Sequence, residues 1–340
     1  MERTTSSSSG DYDSSSAFSE CNSDTSGEFP TSRRLILSCA AENSDEMIHE
    51  LVRSLGSISI DDQKQAALEL RLLAKNKPEN RLKIARAGAI KPLISLISSS
   101  DHHLQENGVT AILNLSLCDE NKPIIKSLGA IRPLVAALKT GSAAARENSA
   151  CALLRLAESE EDKSAIGRAG AIPPLVSLLE SGGIRGKKDA VTALYSLCLI
   201  TENKVRAVDA GIVKPLVESM AEIASSMVEK AAFVLRGLIA IPEARLELVK
   251  ESGIPVLVEI VEVGNRRQKE IAVAILLQLC EESHLFCNVV GREGAIPPLI
   301  SLSQTSTGAT KKKAEALIEL LRQPRSGNSM GVGMSQYVSE

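Results

Sequence analysis

A phrase of apolar residues returns along the chain at a nearly constant interval. It reads AGAIKPLISLI at Ala87, and each later copy keeps a small or apolar start followed by an apolar stripe at helical spacing. The glycines that anchor the six copies are Gly88, Gly129, Gly170, Gly211, Gly253 and Gly294. Their successive spacings are 41, 41, 41, 42 and 41 residues, which is too regular for chance and indicates an internal repeat.

Glycine and proline within the phrase predict where helices end and begin. The glycine is favoured where a short first helix ends, because it adopts a left-handed backbone at little steric cost. A proline four residues later lies in the first turn of a second helix, where its missing N–H breaks no hydrogen bond. These prolines are Pro92, Pro133, Pro174, Pro215 and Pro298. A polar turn and a longer third helix, such as QENGVTAILNLSLC, complete a unit of about 41 residues.

A unit of this kind cannot bury its apolar faces alone, so we expect the units to stack on one another. Ala111, Ala152 and Ala193 recur in register on the third helices and allow close approach of neighbours. Residues 47–76 read as the last two helices of an earlier copy, and residues 311–323 as a final helix with a basic start. The sequence therefore predicts about seven copies, the first of them partial, over residues 45–323.

The segments on either side of the repeats differ in composition. Residues 1–32 contain 11 Ser with scattered acidic residues, so we predict that residues 1–44 form a disordered acidic segment and residues 324–340 a flexible one. Ser8 and Thr25 each have an acidic residue three positions on, a pattern typical of acidic-directed kinase sites. Phosphorylation there would add negative charge, and an unmodified, solubilising segment is the alternative.

Composition narrows the classes of partner and compartment. The chain has 39 basic and 42 acidic residues, a net charge of −3, which gives no reason to expect nucleic acid or an anionic membrane as the partner. The N-terminus lacks the apolar core of a signal peptide, and no apolar run is long enough to cross a membrane. Seven cysteines without a CxxC pair are typical of a reducing compartment. We expect a monomer in the cytoplasm and nucleus.

The 41-residue period, the GAIxPLVxLL phrase and the xENAxxALxNLS-like helix that follows it together resemble the armadillo repeat family. Residues 68–97 further resemble the repeat region of plant U-box ubiquitin ligases and of their relatives without a U-box. The resemblance implies an all-α fold, a right-handed superhelical solenoid whose third helices line a concave, protein-binding groove. A folded domain needs at least about 50 residues, so we expect residues 1–44 to be too short to hold a U-box that could recruit a ubiquitin-conjugating enzyme.

The resemblance also assigns candidate groove residues, which recur every four residues along each third helix. They are Glu106, Thr110, Asn114, Glu147, Cys151, Arg155, Lys188, Thr192, Ser196, Glu229, Phe233, Glu270, Ala274 and Gln278. The column of glutamates, interrupted only by Lys188, predicts a mildly acidic stripe for basic side chains of an extended peptide or helical segment. Asn114 and Gln278 would hold the ligand backbone. In the alternative interpretation the glutamates only stabilise helix N-termini, and Phe233 is either a binding hot spot or a packing residue above Gly237.

Nuclear import receptors carry a Trp four residues before the Asn of the third helix, and this chain has no Trp. The aromatic slots that hold the lysines of an import signal are therefore absent from the sequence. The leading hypothesis is a non-catalytic protein-binding scaffold or adaptor, which the resemblance associates with signalling or ubiquitin pathways. The alternative is a nuclear transport or chromatin-associated adaptor that binds basic peptides. A phosphate- or lipid-binding solenoid would need a basic stripe in place of the glutamates.

Catalytic and metal chemistry finds little support in the sequence. Four histidines, two of them adjacent, give no convincing Ser/His/Asp or Cys/His arrangement. Cys280, His284 and Cys287 have a ligand-like spacing, but a structural zinc site needs four ligands. We therefore predict no catalytic residue, no cofactor and no metal site.

Overall fold

The computed structural model of the protein describes residues 44–323, where all regular structure is helical. The helices are α1 (Ser44–Ser54), α2 (Ile60–Asn76), α3 (Pro78–Arg86), α4 (Ile90–Ile97), α5 (His102–Leu115), α6 (Lys122–Ser127), α7 (Ile131–Thr140), α8 (Ala143–Leu156), α9 (Glu160–Arg168), α10 (Ile172–Ser181), α11 (Ile184–Leu197), α12 (Thr201–Asp209), α13 (Val213–Ala221), α14 (Met227–Leu238), α15 (Pro242–Lys250), α16 (Gly253–Val263), α17 (Arg266–Glu282), α18 (His284–Arg292), α19 (Ile296–Thr305) and α20 (Gly308–Arg322). A 3₁₀ turn, Asp119–Asn121, precedes α6. The predicted segments 1–44 and 324–340, with Ser8 and Thr25, lie outside the described residues except for Ser44 itself.

The helices follow the predicted order of first, second and third helix. The third helices are α2, α5, α8, α11, α14, α17 and α20. The described part of the chain begins at a second helix, α1, in agreement with a partial first copy. The segment read as residues 47–76 consists of α1 and α2, and the final helix begins at Gly308 rather than at Lys311. The expected all-α repeat fold is thus confirmed.

The described helices fall into two compact units, residues 44–256 and 257–323, with the boundary inside α16. In the first unit the third helices α2, α5, α8, α11 and α14 pack side by side in that order. The second helices α4, α7, α10 and α13 each pack on the third helix that follows them. In the second unit α17 packs against α18 and α20, and α19 packs against α20.

The core lies between second and third helices and is built from aliphatic residues. Leu93, Leu134 and Leu175 occupy the same place in three successive second helices and are 0% exposed. Burying one such side chain contributes about 1.5–3 kcal/mol. Helix α5 crosses close to α4, since a Cβ on Gly108 would lie 3.0 Å from the Leu93 carbonyl oxygen. A small residue is therefore required at this crossing.

One of the glycine anchors is assigned wrongly by the sequence pattern. Gly88, Gly129, Gly170, Gly211 and Gly294 have φ between 75° and 85°. In the remaining copy the left-handed position belongs to Ser252, with φ 55°, which follows Gly211 by 41 residues. Gly253 instead begins α16 and packs against Leu248, whose side chain a Cβ would overlap. The pattern took the nearest glycine for the anchor because a non-glycine residue in this conformation is uncommon.

We predict that S252G stabilises the protein by about 1 kcal/mol, because a left-handed backbone costs roughly 1–2 kcal/mol for a residue with a Cβ. The reverse change at an equivalent place, G170S, should destabilise by a similar amount. Thermal unfolding followed by circular dichroism measures both changes. G237A is the control for the ordinary cost of glycine in a helix: a Cβ on Gly237 within α14 meets nothing within 4 Å, so this change should stabilise the protein by roughly 0.5–1 kcal/mol. A lower melting temperature for S252G would contradict this account.

Ion pairs join the first helices α6 and α9 across two successive repeats. Lys126 Nζ lies 2.7 Å from Asp162 Oδ2, and Lys122 Nζ lies 2.8 Å from Glu158 Oε1. The hydrogen bond to Asp162 raises the pKa of Lys126. Burial alone would raise the pKa of Asp162, but hydrogen bonds from Lys126 and from the Ser159 backbone outweigh it and leave this pKa below its ordinary value.

A carboxyl group whose pKa is lowered by folding stabilises the protein above its unfolded pKa, and this stabilisation is lost as the pH falls through the folded pKa. D162N should therefore melt below wild type at pH 7, by an amount equivalent to about 1 kcal/mol or less because the pair is partly exposed. The difference should begin to shrink as the pH falls below about 4, the ordinary pKa of the carboxyl, and should vanish below the lower pKa of the folded protein. D209N, at the exposed end of α12, is the matched control. A difference that persists unchanged at pH 3 would show that charge is not the cause.

Candidate functional site

The first members of the predicted groove triplets lie near the N-terminal ends of their third helices. Glu106, Glu147, Lys188 and Glu229 in the first unit, and Glu270 in the second, are all half-buried. The N-terminal ends of the third helices therefore carry charged side chains that remain in contact with solvent. In the first unit these helices are packed neighbours, so the four residues mark one continuous surface, which we call the third-helix surface.

Several other predicted groove residues are buried. Thr110 and Asn114 are 0% exposed, Thr192 is 8% exposed and Phe233 is 7% exposed. Cys151 and Ala274 are also buried, whereas Arg155, Ser196 and Gln278 are half-buried. The amide of Asn114 donates from Nδ2 to the Arg71 carbonyl oxygen at 3.2 Å. Asn114 is thus part of the contact between α2 and α5 in this structure, and its expected role on a ligand backbone stays a prediction.

The glutamates of the stripe reach the start of the next third helix. Glu106 Oε2 accepts a 2.8 Å hydrogen bond from Ser142 Oγ, the N-cap of α8. In the second unit Glu270 Oε1 accepts from Thr310 Oγ1 at 2.8 Å. Glu147 Oε2 lies 3.8 Å from Arg185 Nη1 in the first turn of α11. A carboxylate is favoured at a helix N-terminus. Because each of these glutamates contacts the start of the third helix in the next repeat, the stripe stabilises the stacking of repeats. Each of these three glutamates is half-buried, so its side chain is still partly accessible to solvent.

A second set of polar contacts runs between third helices beneath the stripe. Arg71 Nη1 donates to Asn107 Oδ1 at 2.8 Å. Asn148 Nδ2 donates to Thr110 Oγ1 at 2.8 Å, and Arg185 Nη2 donates to Asn148 Oδ1 at 2.8 Å. Asn107 and Asn148 are 8% and 2% exposed. These bonds satisfy buried polar groups and fix the register of α2, α5, α8 and α11 against one another.

The sequence carried a signal for half of this network. Asn107 and Asn148 are 41 residues apart and each follows a glutamate, so a search for recurring polar residues would have found them. The positions equivalent to Arg71 and Arg185 hold Ile112 and Ala144 in the neighbouring copies. A search by period cannot detect residues that depart from the repeat.

Two buried acceptor atoms on α2 and α5 have no hydrogen-bond donor within the described residues. They are Glu69 Oε2 and Asn114 Oδ1. Glu69 is 4% exposed, precedes Thr110 by one repeat, and uses only its Oε1 to accept from Gln65 Nε2 at 2.6 Å. Buried acceptors are nearly always paired in proteins, so each of these two atoms is a candidate partner for an additional N–H donor.

The described side chains are poorly suited to nucleophilic or metal chemistry. Burial raises the pKa of the Cys198 thiol to about 12, which keeps it protonated at neutral pH. Cys287 Sγ donates to the Cys280 carbonyl oxygen at 3.3 Å, while His284 is exposed. Between residues 44 and 323 no three His, Cys, Asp or Glu side chains converge on a point that could hold a metal ion. In the same range no helix combines the length and hydropathy required to span a bilayer.

We predict that N148A destabilises the first unit by about 1–3 kcal/mol, because Thr110 and Arg185 each lose a buried partner. The protection of α8 and α11 amides against hydrogen exchange should fall with it. N288A, at an exposed position of α18, removes the same group and should change stability by less than about 0.5 kcal/mol. Equal effects of the two substitutions would show that the inter-repeat hydrogen bonds contribute nothing.

Solved structures share this fold. The crystal structure of an engineered protein superposes with a TM-score of 0.69 at 26% identity, covering 81% of this chain and 68% of that one. Computationally designed armadillo repeat proteins for modular peptide recognition give a TM-score of 0.53 at 22% identity, with 80% and 99% coverage. A designed armadillo repeat protein in complex with the peptide (KR)4 gives 0.51 at 22% identity, with 81% and 99% coverage. At these identities the two armadillo structures establish the fold alone.

Sequence relatives come from plants and share the repeat region. U-box domain-containing protein 2 of Arabidopsis thaliana is 64% identical over 245 residues, 72% of this chain and 35% of the relative. U-box domain-containing protein 4 of the same plant is 61% identical over 285 residues, 84% of this chain and 34% of the relative. The chain thus spans about a third of the length of these relatives. The family described as the plant U-box protein ARM repeat region matches residues 40–336, and the chain belongs to this family.

Proposed function

We propose that the protein is a non-catalytic scaffold or adaptor that binds other proteins through the third-helix surface of its first unit. The ligand would be an extended peptide or a helical segment. The observation that carries the proposal is a set of half-buried charged and polar side chains on packed third helices, namely Glu106, Glu147, Arg155, Lys188, Ser196 and Glu229. Side chains at this degree of exposure are anchored by neighbours yet still accessible, which suits a preorganised binding surface.

The charge of this surface favours a basic segment as the ligand. Of the four residues that define the third-helix surface near the N-terminal ends of the helices, all but Lys188 are glutamates. The acceptor atoms without a donor, Glu69 Oε2 and Asn114 Oδ1, would gain a partner from a ligand N–H once neighbouring side chains rotate aside. This chemistry also fits the second candidate, a nuclear transport or chromatin-associated adaptor that binds basic peptides. In either case ligand binding should weaken steeply with salt, because exposed charges are screened within about 10 Å at 0.1 M salt.

Membership in the U-box repeat family supports a place in ubiquitin-related signalling. We further propose that the protein is located in the cytoplasm and nucleus. In that setting the repeats would select the protein partner, and any ubiquitin chemistry would belong to other polypeptide segments or to partner proteins. Fluorescent fusions in plant cells test the location. Identification of captured proteins tests the pathway.

The test of the binding surface removes three charges and keeps hydrogen-bond capacity, as E106Q/E147Q/E229Q. A labelled (KR)4 peptide serves as the probe in fluorescence anisotropy. We predict that Kd rises about tenfold, since each exposed charge contact contributes roughly 0.5 kcal/mol. Proteins captured from plant extract by the wild-type chain should be lost in parallel.

The control carries three matched changes on first helices, E79Q/E202Q/E243Q, where the glutamates are exposed. Its Kd should stay within about twofold of wild type, because these exposed residues lie on first helices and are not among the predicted groove positions. An unchanged partner list and unchanged Kd in E106Q/E147Q/E229Q would reject the third-helix surface. Equal losses in both triple variants would reject a localised site.

A further inference from the structure

The third helix α11 differs from its neighbours at two positions on one face. Lys188 interrupts the column of glutamates that Glu106, Glu147 and Glu229 form. Four residues before it, at the start of the helix, lies Ile184, which is 80% exposed. Side chains four residues apart are neighbours on the same face of a helix. The cation and the exposed isoleucine therefore lie next to each other on the third-helix surface.

The isoleucine has no counterpart in the neighbouring copies. The equivalent positions, at intervals of 41 residues, hold His102, Ala143 and Ser225. Because its side chain is 80% exposed, Ile184 contributes little to the packing between repeats. A single exposed apolar residue is common on protein surfaces. This one is informative because it adjoins the cation that interrupts the column.

Two carboxylates beside the start of α11 are paired with a different cation. Arg185 Nη1 lies 3.8 Å from Glu147 Oε2, and Arg185 Nε lies 3.5 Å from Asp189 Oδ2. Glu147 also lies against Gly186, where a Cβ would come within 2.8 Å of its Oε1. In the described part of the chain no carboxylate lies within 4 Å of Lys188 Nζ. Lys188 is therefore a half-buried ammonium group that a ligand carboxylate could pair with.

The order of charges along the third-helix surface restricts the ligand. From α5 to α14 the column is acidic, acidic, basic and acidic, as Glu106, Glu147, Lys188 and Glu229. A ligand that is basic throughout would place a cation opposite Lys188. Repulsion there is screened less than between fully exposed charges, because Lys188 is half-buried. Like-charge contacts of this kind exclude unsuitable partners.

The spacing of the helices sets the length of the segment. Packed helices lie roughly 8–10 Å apart, and an extended chain advances about 3.3 Å per residue. Ligand residues that face successive third helices are therefore about two or three positions apart. An extended segment of about eight to ten residues spans the four helices from α5 to α14.

We propose, on the basis of the function proposed above, that Lys188 and Ile184 determine the specificity of the third-helix surface. They select a segment in which basic residues flank one acidic residue that is next to an apolar residue. The carboxylate of the segment would pair with Lys188 Nζ, and its apolar side chain would cover Ile184. A segment that is basic throughout binds less tightly. This specificity favours the first candidate function over an adaptor for basic peptides.

The experiment uses the full chain and labelled peptides of eight residues in fluorescence anisotropy. The mixed peptides are Lys-Arg-Lys-Arg-Leu-Glu-Lys-Arg and Lys-Arg-Leu-Glu-Lys-Arg-Lys-Arg, one for each direction of a chain along the surface. We expect wild type to bind the better of the two at least threefold more tightly than (KR)4, although the mixed peptide has the lower net charge. K188E should tighten the binding of (KR)4 and weaken that of the mixed peptide, so that the ratio of the two Kd values changes at least tenfold. K188Q should change this ratio in the same direction by less.

The matched control is K214E, which makes the same change in charge at an exposed lysine of the second helix α13. It should alter both Kd values by a similar factor, so that their ratio stays within about twofold of wild type. An unchanged melting temperature of K188E shows that its fold is intact.

I184S tests the apolar contact. It should weaken binding of the mixed peptide severalfold and leave the Kd of (KR)4 unchanged. An equal loss for a mixed peptide with serine in place of leucine would remove Ile184 from the proposal.

Two results would overturn the assigned specificity: failure of wild type to prefer either mixed peptide over (KR)4, or the same ratio of Kd values in K188E and wild type. If E106Q/E147Q/E229Q then still weakens the binding of all peptides, the third-helix surface remains the binding site without this specificity. If the triple variant leaves every Kd unchanged, the proposed function itself fails.

Discussion

Thin layers of helices must hide their apolar faces against neighbours of the same kind, and this requirement governs the whole repeat. Each second helix after α1 contributes one fully buried leucine at the same place, as with Leu93 and Leu134. The crossings between helices also use small residues such as Gly108 and Ala111. Aromatic bulk would hold the layers apart, which explains why aromatics are only 2% of the chain. Stability then accumulates between neighbours rather than in one central core.

Apolar packing alone would allow helices to slide along one another, since it has little directional preference. The polar contacts between third helices are directional and fix the register of one helix against the next. Asn148 bonds to Thr110 on one side and to Arg185 on the other, so a shift of one turn would break both hydrogen bonds. A ligand on the proposed third-helix surface would meet side chains already held in place, so binding would cost less entropy for ordering them. The glutamates of this surface are only partly available to a ligand, because Glu106 and Glu147 also contact the next repeat.

The fold follows from the sequence because its signals are local and repeated: glycine ends a helix, proline begins one, and both recur every 41 residues. The pattern fails where a copy departs from the rule. Ser252 takes the left-handed position that glycine holds elsewhere. The sequence pattern instead assigned this position to Gly253, the adjacent glycine. The site is less predictable, since burial depends on neighbours distant in sequence. Asn114 occupies the expected register, yet the Arg71 backbone, 43 residues away, accepts its amide hydrogen.

Net charge is a poor guide to partners in a repeat protein. A total of −3 suggests a surface without electrostatic preference, but the field of exposed charges decays within about 8 Å at physiological salt. A ligand therefore senses only the few repeats that it touches. Near the N-terminal ends of the third helices in the first unit, Glu106, Glu147 and Glu229 are acidic. The first turns of α17 and α20 instead contain basic residues and no carboxylate. Because each repeat can vary its exposed residues without altering the buried ones, one array can carry surfaces of opposite charge while every copy keeps the same fold.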